Sequence, residues 1–180
     1  MIILEGPDGA GKSRLANQLS QDLGISIEPR VVSKKAEAMT DLRAWVEVDL
    51  ATWPRAAIYD RHRLISEPIY GPLLRGRMEP GFDDRQWLTR MLEKMNNLDP
   101  TIIFCLPPYE IVKANVERDI DNQVVWEYIT QVYWLYFMET CRHGSAFVWD
   151  YTAVDAVSFY EGMLARLKRS EHLSSTGGIC

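Results

Sequence analysis

The amino-acid sequence predicts an α/β fold in three layers, a five-stranded parallel sheet with helices on both faces. Two observations predict it. Short apolar runs alternate with stretches of helical periodicity along the chain, the order that parallel sheets require because neighbouring parallel strands are joined by crossovers. The first of these runs also passes directly into a glycine-rich loop and then a helix, a strand–loop–helix unit at home in such sheets.

Taken in order, Met1-Ile2-Ile3-Leu4-Glu5 is the first strand, stopped by Gly6, and Leu15, Ala16, Leu19 and Leu23 recur at helical spacing from Ser13 until Gly24 caps the helix. Ile25-Ser26-Ile27-Glu28 alternates as a second strand before Pro29 ends it. A helix is expected over about Lys35 to Val48, and Ala56-Ala57-Ile58-Tyr59 reads as a buried strand ending at Asp60. Two helices follow, Glu67 to Arg75 and Asp83 to Asn97, parted by Gly76, Pro80 and Gly81. Thr101 to Leu106 is the longest strand-like run, and Pro107-Pro108 stops it before a helix from Tyr109 to about Arg118. After the polar Asp119-Ile120-Asp121-Asn122, the positions Val125, Tyr128, Ile129, Val132, Tyr133 and Tyr136 mark one long amphipathic helix. Ala146 to Trp149 is a fifth strand and Val154 to Lys168 a last helix.

With 180 residues, 47% hydrophobic and 25% charged, the chain has the length and composition of one folded domain, placed at residues 1–169 with a mobile tail over 170–180. A net charge of -5 argues against coating nucleic acid through bulk charge, although a local basic groove would escape that count. Cys105, Cys141 and Cys180 are scattered without zinc or disulfide spacing, as in a protein of a reducing compartment. The glycine loop begins too early to leave room for a signal peptide, and no apolar run is long enough to span a membrane, so a soluble cytoplasmic protein is expected.

Gly6-Pro7-Asp8-Gly9-Ala10-Gly11-Lys12-Ser13 fits the Walker A pattern of a P-loop. Phosphate oxygens need many donors in a small concavity, so side chains must be absent where backbone N–H groups converge. The helix that follows points its positive N-terminus at the same anion. Gly6, Asp8, Gly9, Ala10, Gly11, Lys12, Ser13 and Arg14 are therefore the candidate nucleotide site. Lys12 is placed on the β- and γ-phosphates of ATP, and the Ser13 hydroxyl on Mg²⁺.

Glu5-Gly6-Pro7-Asp8-Gly9-Ala10-Gly11-Lys12-Ser13 resembles the opening of thymidylate kinases and the related deoxynucleoside kinases. Glu28-Pro29, Asp60-Arg61 and the downstream Ser66-Glu67-Pro68-Ile69-Tyr70 resemble that family's later motifs. The chain departs from it where the family follows Glu-Pro with Gly-Gly-Thr, since Arg30-Val31-Val32 stands here, and where the family reads the base with Gln, since Gly71 stands here. The resemblance implies helical acceptor-binding insertions at about 30–55 and 64–98 and a short lid at about 118–123.

Asp60, at a strand end, is the candidate Walker-B-type acid beside the Mg²⁺ held by Ser13. Glu28 is the first candidate for a base that takes a proton from an acceptor hydroxyl, and Asp8 the second. Arg61 and Arg118 are candidate donors to phosphate oxygens. Arg30, Lys34, Lys35, Arg63, Arg75 and Arg77 form a basic rim if they converge, and Trp45, Trp53, Tyr70 and Trp87 either stack on a base or pack in the core. Met91, Met95 and the stripe from Tyr128 to Tyr136 are assigned to the core.

These residues point to a Mg²⁺- and ATP-dependent kinase acting on a deoxynucleoside or deoxynucleotide. The alternative is a kinase, of a kind known from phage, that phosphorylates a hydroxymethyl-pyrimidine within DNA; the acidic net charge disfavours DNA as the acceptor. A GTPase switch is disfavoured because no Asn-Lys-x-Asp tetrapeptide is present, and a homodimer is left open. Lys12 works through charge and Ser13 through Mg²⁺, so Lys12→Ala or Ser13→Ala is expected to lower phosphoryl transfer by about 10²-fold or more. Radiolabelled ATP turnover by the folded variants checks it, and wild-type-like activity of Lys12→Ala would remove the kinase assignment.

Overall fold

A computed structural model describes residues 1–28, 42–53, 56–78, 81–118 and 123–175. Its elements in chain order are β1 (Ile2–Glu5), α1 (Lys12–Leu23), β2 (Ser26–Glu28), α2 (Leu42–Thr52), β3 (Ala57–Asp60), α3 (Arg63–Arg75), α4 (Arg85–Asn97), β4 (Thr101–Cys105), α5 (Tyr109–Arg118), α6 (Gln123–Trp126), α7 (Ile129–Arg142), β5 (Phe147–Trp149) and α8 (Ala156–Ser175). The five strands form one sheet in the order β2-β3-β1-β4-β5, parallel at every pairing. All four β1 residues are buried, which accounts for the continuous apolar run: a central strand covered on both faces has no side to leave polar.

Alternate strand residues enter two cores. Ile3, Tyr59, Ile102 and Phe104 meet α2, α3, α4 and α7 on one face through Val46, Leu64, Trp87 and Tyr136. Ile2, Leu4, Ile58, Ile103 and Cys105 meet α1, α5 and α8 on the other through Leu15, Val112 and Met163. The three-layer α/β architecture expected from the sequence is thus the observed one. No helix among the described residues is long and apolar enough to cross a membrane.

The departures have local causes. Helix α3 starts at Arg63 rather than Glu67, because the His62 side chain accepts from the Leu64 N–H and caps it there, and Pro68 and Pro72 lie inside the helix. The single helix expected from Val125 is two, α6 and α7, broken at Tyr128 (φ -113°, ψ 4°), and α7 continues to Arg142. Helix α2 ends at Thr52 rather than Val48, and α8 runs on through Ser175. The basic positions Arg30, Lys34 and Lys35, the lid positions 119–122 and the tail positions 176–180 lie outside the described residues.

Gly6 joins the loop to the sheet. Its φ is +139°, and a Cβ there would lie 2.4 Å from the Cys105 carbonyl oxygen of β4, a backbone atom that cannot yield. Gly6→Ala is expected to lose about 3 kcal/mol or more of unfolding free energy. Gly162, exposed within α8 with no described atom within 4 Å of its Cβ position, is the converse, and Gly162→Ala should gain about 0.5–1 kcal/mol. Urea unfolding of both variants checks the pair; a tolerated Gly6→Ala would contradict the close approach.

Candidate active site

The loop between β1 and α1 meets the end of β3 because the two strands pair in parallel with Leu4 opposite Asp60. Ser13 Oγ donates to Asp60 Oδ2 at 3.1 Å. Asp60 Oδ1 is buried and accepts from no described residue. A carboxylate oxygen left unpaired beside a serine hydroxyl fits the hard-oxygen donor set that Mg²⁺ takes. The buried Lys12 ammonium folds back to donate to the Pro7 carbonyl at 2.6 Å. Its pKa is pushed down to about 8, first by burial and then by the Arg61 charge.

Arg61 follows Asp60 in left-handed backbone, φ 73°. Two consecutive amides hold that corner: Arg61 N–H donates to the Leu4 carbonyl at 2.9 Å and His62 N–H to Glu5 Oε1 at 2.7 Å. The guanidinium Nη2 then lies 2.7 Å from Asp8 Oδ1, 2.7 Å from the Tyr70 hydroxyl and 3.3 Å from the Gly6 carbonyl. The Tyr70 hydroxyl donates to the other Asp8 oxygen at 2.9 Å. Burial alone would raise the Asp8 carboxyl, but the Arg61 and Lys12 charges and the two hydrogen bonds outweigh it and hold it down at about 2. Asp8 therefore has both oxygens occupied and little basicity, which makes it an anchor for Arg61 rather than a proton acceptor. Arg61 Nε is buried with no described partner, a second orphaned group beside the loop.

Behind the loop, Glu5 is fully buried; its Oε1 accepts from His62 N–H and its Oε2 from the Tyr136 hydroxyl at 3.0 Å. Burial raises its pKa to about 7, against the opposing pull of the His62 N–H, Arg61, Tyr136 and Lys12. The His62 ring accepts from Leu64 N–H through Nδ1, so Nε2 carries the hydrogen that faces Asp49 Oδ2 at 3.2 Å.

Glu28 closes β2 opposite Tyr59, half-buried at the same sheet edge as Asp60 and the loop, the edge where open α/β sheets take ligands. Arg118 is exposed at the end of α5, bonded to the Ala114 carbonyl at 3.1 Å and to Asn115 Oδ1 at 3.3 Å. Arg75 is committed to the buried Glu67, while Arg77 is exposed. Trp87 and Met95 are core, and Trp45, Trp53 and Tyr59 pack around His62. Tyr70 stands against Arg61 rather than open to a base, its ring centroid 4.5 Å from the guanidinium carbon.

Gly11 and α1 open on the other side into a pocket of about 270 Å³, lined by Arg14, Gln18, Trp149, Tyr151, Val157 and Tyr160 among others. Sequence reasoning gave no role to Glu5, Asn115 or Tyr151. An acid closing a fully buried strand was a usable signal for Glu5; nothing local marks the other two.

No family model and no curated protein matches the chain. Its fold does match solved structures. YorR from Bacillus subtilis, solved in complex with phosphorylated GDP, is 18% identical with a TM-score of 0.74, covering 95% of this chain and 97% of YorR. Deoxyadenosine kinase from M. mycoides, solved with dCMP and dCDP, is 18% identical with a TM-score of 0.60, covering 93% and 98%. A gluconokinase from Sinorhizobium meliloti is 12% identical with a TM-score of 0.53, covering 97% and 96%. The chain has the fold of P-loop nucleoside and nucleotide kinases.

Glu5 sets a pH dependence of stability. Its folded pKa of about 7 exceeds the ordinary 4.5, so the folded state binds the extra proton between those values, and stability present below pH 4.5 is lost as pH rises through 7. Glu5→Gln keeps an acceptor for His62 N–H without that charge. Its stability relative to wild type should rise by roughly 2–3 kcal/mol between pH 5 and pH 8. Chemical denaturation at the two pH values checks it, and a difference independent of pH would show that Glu5 does not titrate in this range.

Proposed function

We propose that the protein is a Mg²⁺-dependent kinase that moves the γ-phosphoryl group of ATP to a deoxynucleoside or deoxynucleoside monophosphate. One observation carries the reading: two buried groups of charged residues, Asp60 Oδ1 and Arg61 Nε, have no described partner, and both lie beside a Walker A loop. Leaving such groups desolvated and unpaired costs about 1–3 kcal/mol each or more, a cost that a phosphate and its metal ion remove.

In this reading the Lys12 ammonium and the loop N–H groups hold the donor phosphates, and the pocket beside Gly11 takes the donor nucleoside. Ser13 and Asp60 would hold Mg²⁺, which supplies charge neutralisation on the phosphate oxygens when bound. Arg61, oriented by Asp8 and Tyr70, presents its free edge to the transferring group or to the acceptor, and Arg118 adds charge from the α5 end. With a hydroxyl acceptor, its oxygen forms the bond to the γ-phosphorus as the β,γ-bridging P–O bond breaks, ADP leaves, and the hydroxyl proton passes to Glu28. The nucleotides bound in the YorR and deoxyadenosine kinase structures support an acceptor of the nucleoside or nucleotide class.

Glu28→Gln separates the acceptor chemistries. With a nucleoside hydroxyl it should lower kcat by roughly 10²-fold or more at unchanged KM; a monophosphate acceptor is already ionised, and the change should then act through KM. Radiolabelled ATP assayed against a panel of deoxynucleosides and deoxynucleoside monophosphates gives both numbers. No transfer to any member would overturn the proposal.

A further inference from the structure

Helix α5 is hydrogen-bonded to the phosphate loop through the Asn115 side chain. Asn115 Nδ2 donates to the Gly9 carbonyl at 2.8 Å and to the Tyr151 hydroxyl at 3.0 Å, while Asn115 Oδ1 accepts from Arg118 at 3.3 Å. Chemistry fixes the orientation of that amide, because a backbone carbonyl only accepts and a guanidinium only donates. The contact is close on all sides: Gly9 has φ +75°, and a Cβ there would sit 3.0 Å from Asn115 Cβ, the Val112 carbonyl oxygen and Val116 Cγ2. The Tyr151 ring in turn covers Gly11, whose Cβ would lie 3.1 Å from Tyr151 Cε1.

We propose that Asn115 is a positioning residue for the phosphate loop, one that orients the Gly9–Ala10 peptide for the donor phosphates and ties that peptide to Tyr151 and Arg118. The Gly9 carbonyl and the Ala10 N–H belong to a single planar unit and point in opposite directions. Whatever holds the carbonyl outward against α5 therefore holds the N–H inward. Among the described residues that N–H makes only a long contact, 3.4 Å, to the Pro7 carbonyl, so it is available to an anion. Glycine at position 9 places no side-chain barrier on a flip of this peptide, and a flipped peptide would turn a carbonyl dipole toward the phosphates. The Asn115 amide supplies the restraint that the loop lacks. Through Oδ1 it also sets where the Arg118 guanidinium starts from, and through Tyr151 it reaches the wall of the nucleoside pocket.

The inference rests on the kinase reading, and the test separates the two. ADP binding by isothermal titration calorimetry and steady-state kinetics are measured for wild type, Asn115→Ala and Asn115→Asp. The alanine variant should bind ADP about tenfold more weakly, the loss of one hydrogen bond to a group that must stay oriented. Its KM for ATP should rise by a similar factor while the KM for the acceptor stays within about twofold. Asn115→Asp keeps the shape but sets a carboxylate oxygen against the Gly9 carbonyl, and should bind ADP more weakly than the alanine variant does. A merely structural role would move both KM values or the melting temperature and would not rank the variants in this order. Equal ADP binding by wild type and both variants overturns this inference alone, whereas a wild-type protein that binds no ADP overturns the kinase reading with it.

Discussion

The ion pair between Arg61 and Asp8 joins the end of β3 to the phosphate loop, and the geometry of the site hangs on it. It is nearly solvent-free, with side chains 7% and 16% exposed and a separation of 2.7 Å. Arg61 cannot shed its charge, so something anionic must accompany it into the interior. Asp8 supplies that anion, Tyr70 closes the triangle, and Glu5 completes the setting from behind by fixing the His62 amide. Removing either member of the pair would strand the other, which is far costlier than the net worth of the bridge itself.

Crowding of this kind is expensive. Glu5, Asp8, Lys12 and Arg61 are all desolvated within one neighbourhood, and burial opposes ionisation in each of them. The chain spends stability here that an apolar cluster would have kept. In the proposed kinase the return is a field fixed in advance: charges and dipoles already turned toward the place where a phosphoryl group would lie, with little reorganisation left for the reaction. The orphaned Asp60 oxygen and Arg61 nitrogen are the visible remainder of that arrangement.

The sheet was legible because burial on both faces writes itself as uninterrupted apolar runs, and β1, β3 and β4 are nearly pure examples. The loop was legible because anion binding restricts residue type at fixed spacing. Helix boundaries were less so. The onset of α3 depends on the His62 ring acting as a cap, a role rarely given to histidine, and the interior prolines argue for a later start. The break between α6 and α7 leaves apolar periodicity intact on both sides. In the site, Asp60 and Ser13 do come into contact and Glu28 reaches the same edge, but Asp8 turned out to be engaged with Arg61 and Tyr70. Partnerships such as Asn115 with Gly9 or Tyr136 with Glu5 span more than a hundred residues of chain, and no local pattern encodes them.

The central place of β1 bears on how the molecule is made. Its two neighbours in the sheet are β3, beginning at Ala57, and β4, beginning at Thr101. A ribosome delivers the chain in the N-to-C direction at about 5–20 residues per second, so the phosphate loop emerges before both flanking strands and then waits for them. Pairings of such long sequence separation close slowly. During that interval β1 is an apolar strand with two open edges, the kind of segment that chaperones hold and that aggregates when crowded. The phosphate loop is thus made well before the strands that give it its working shape.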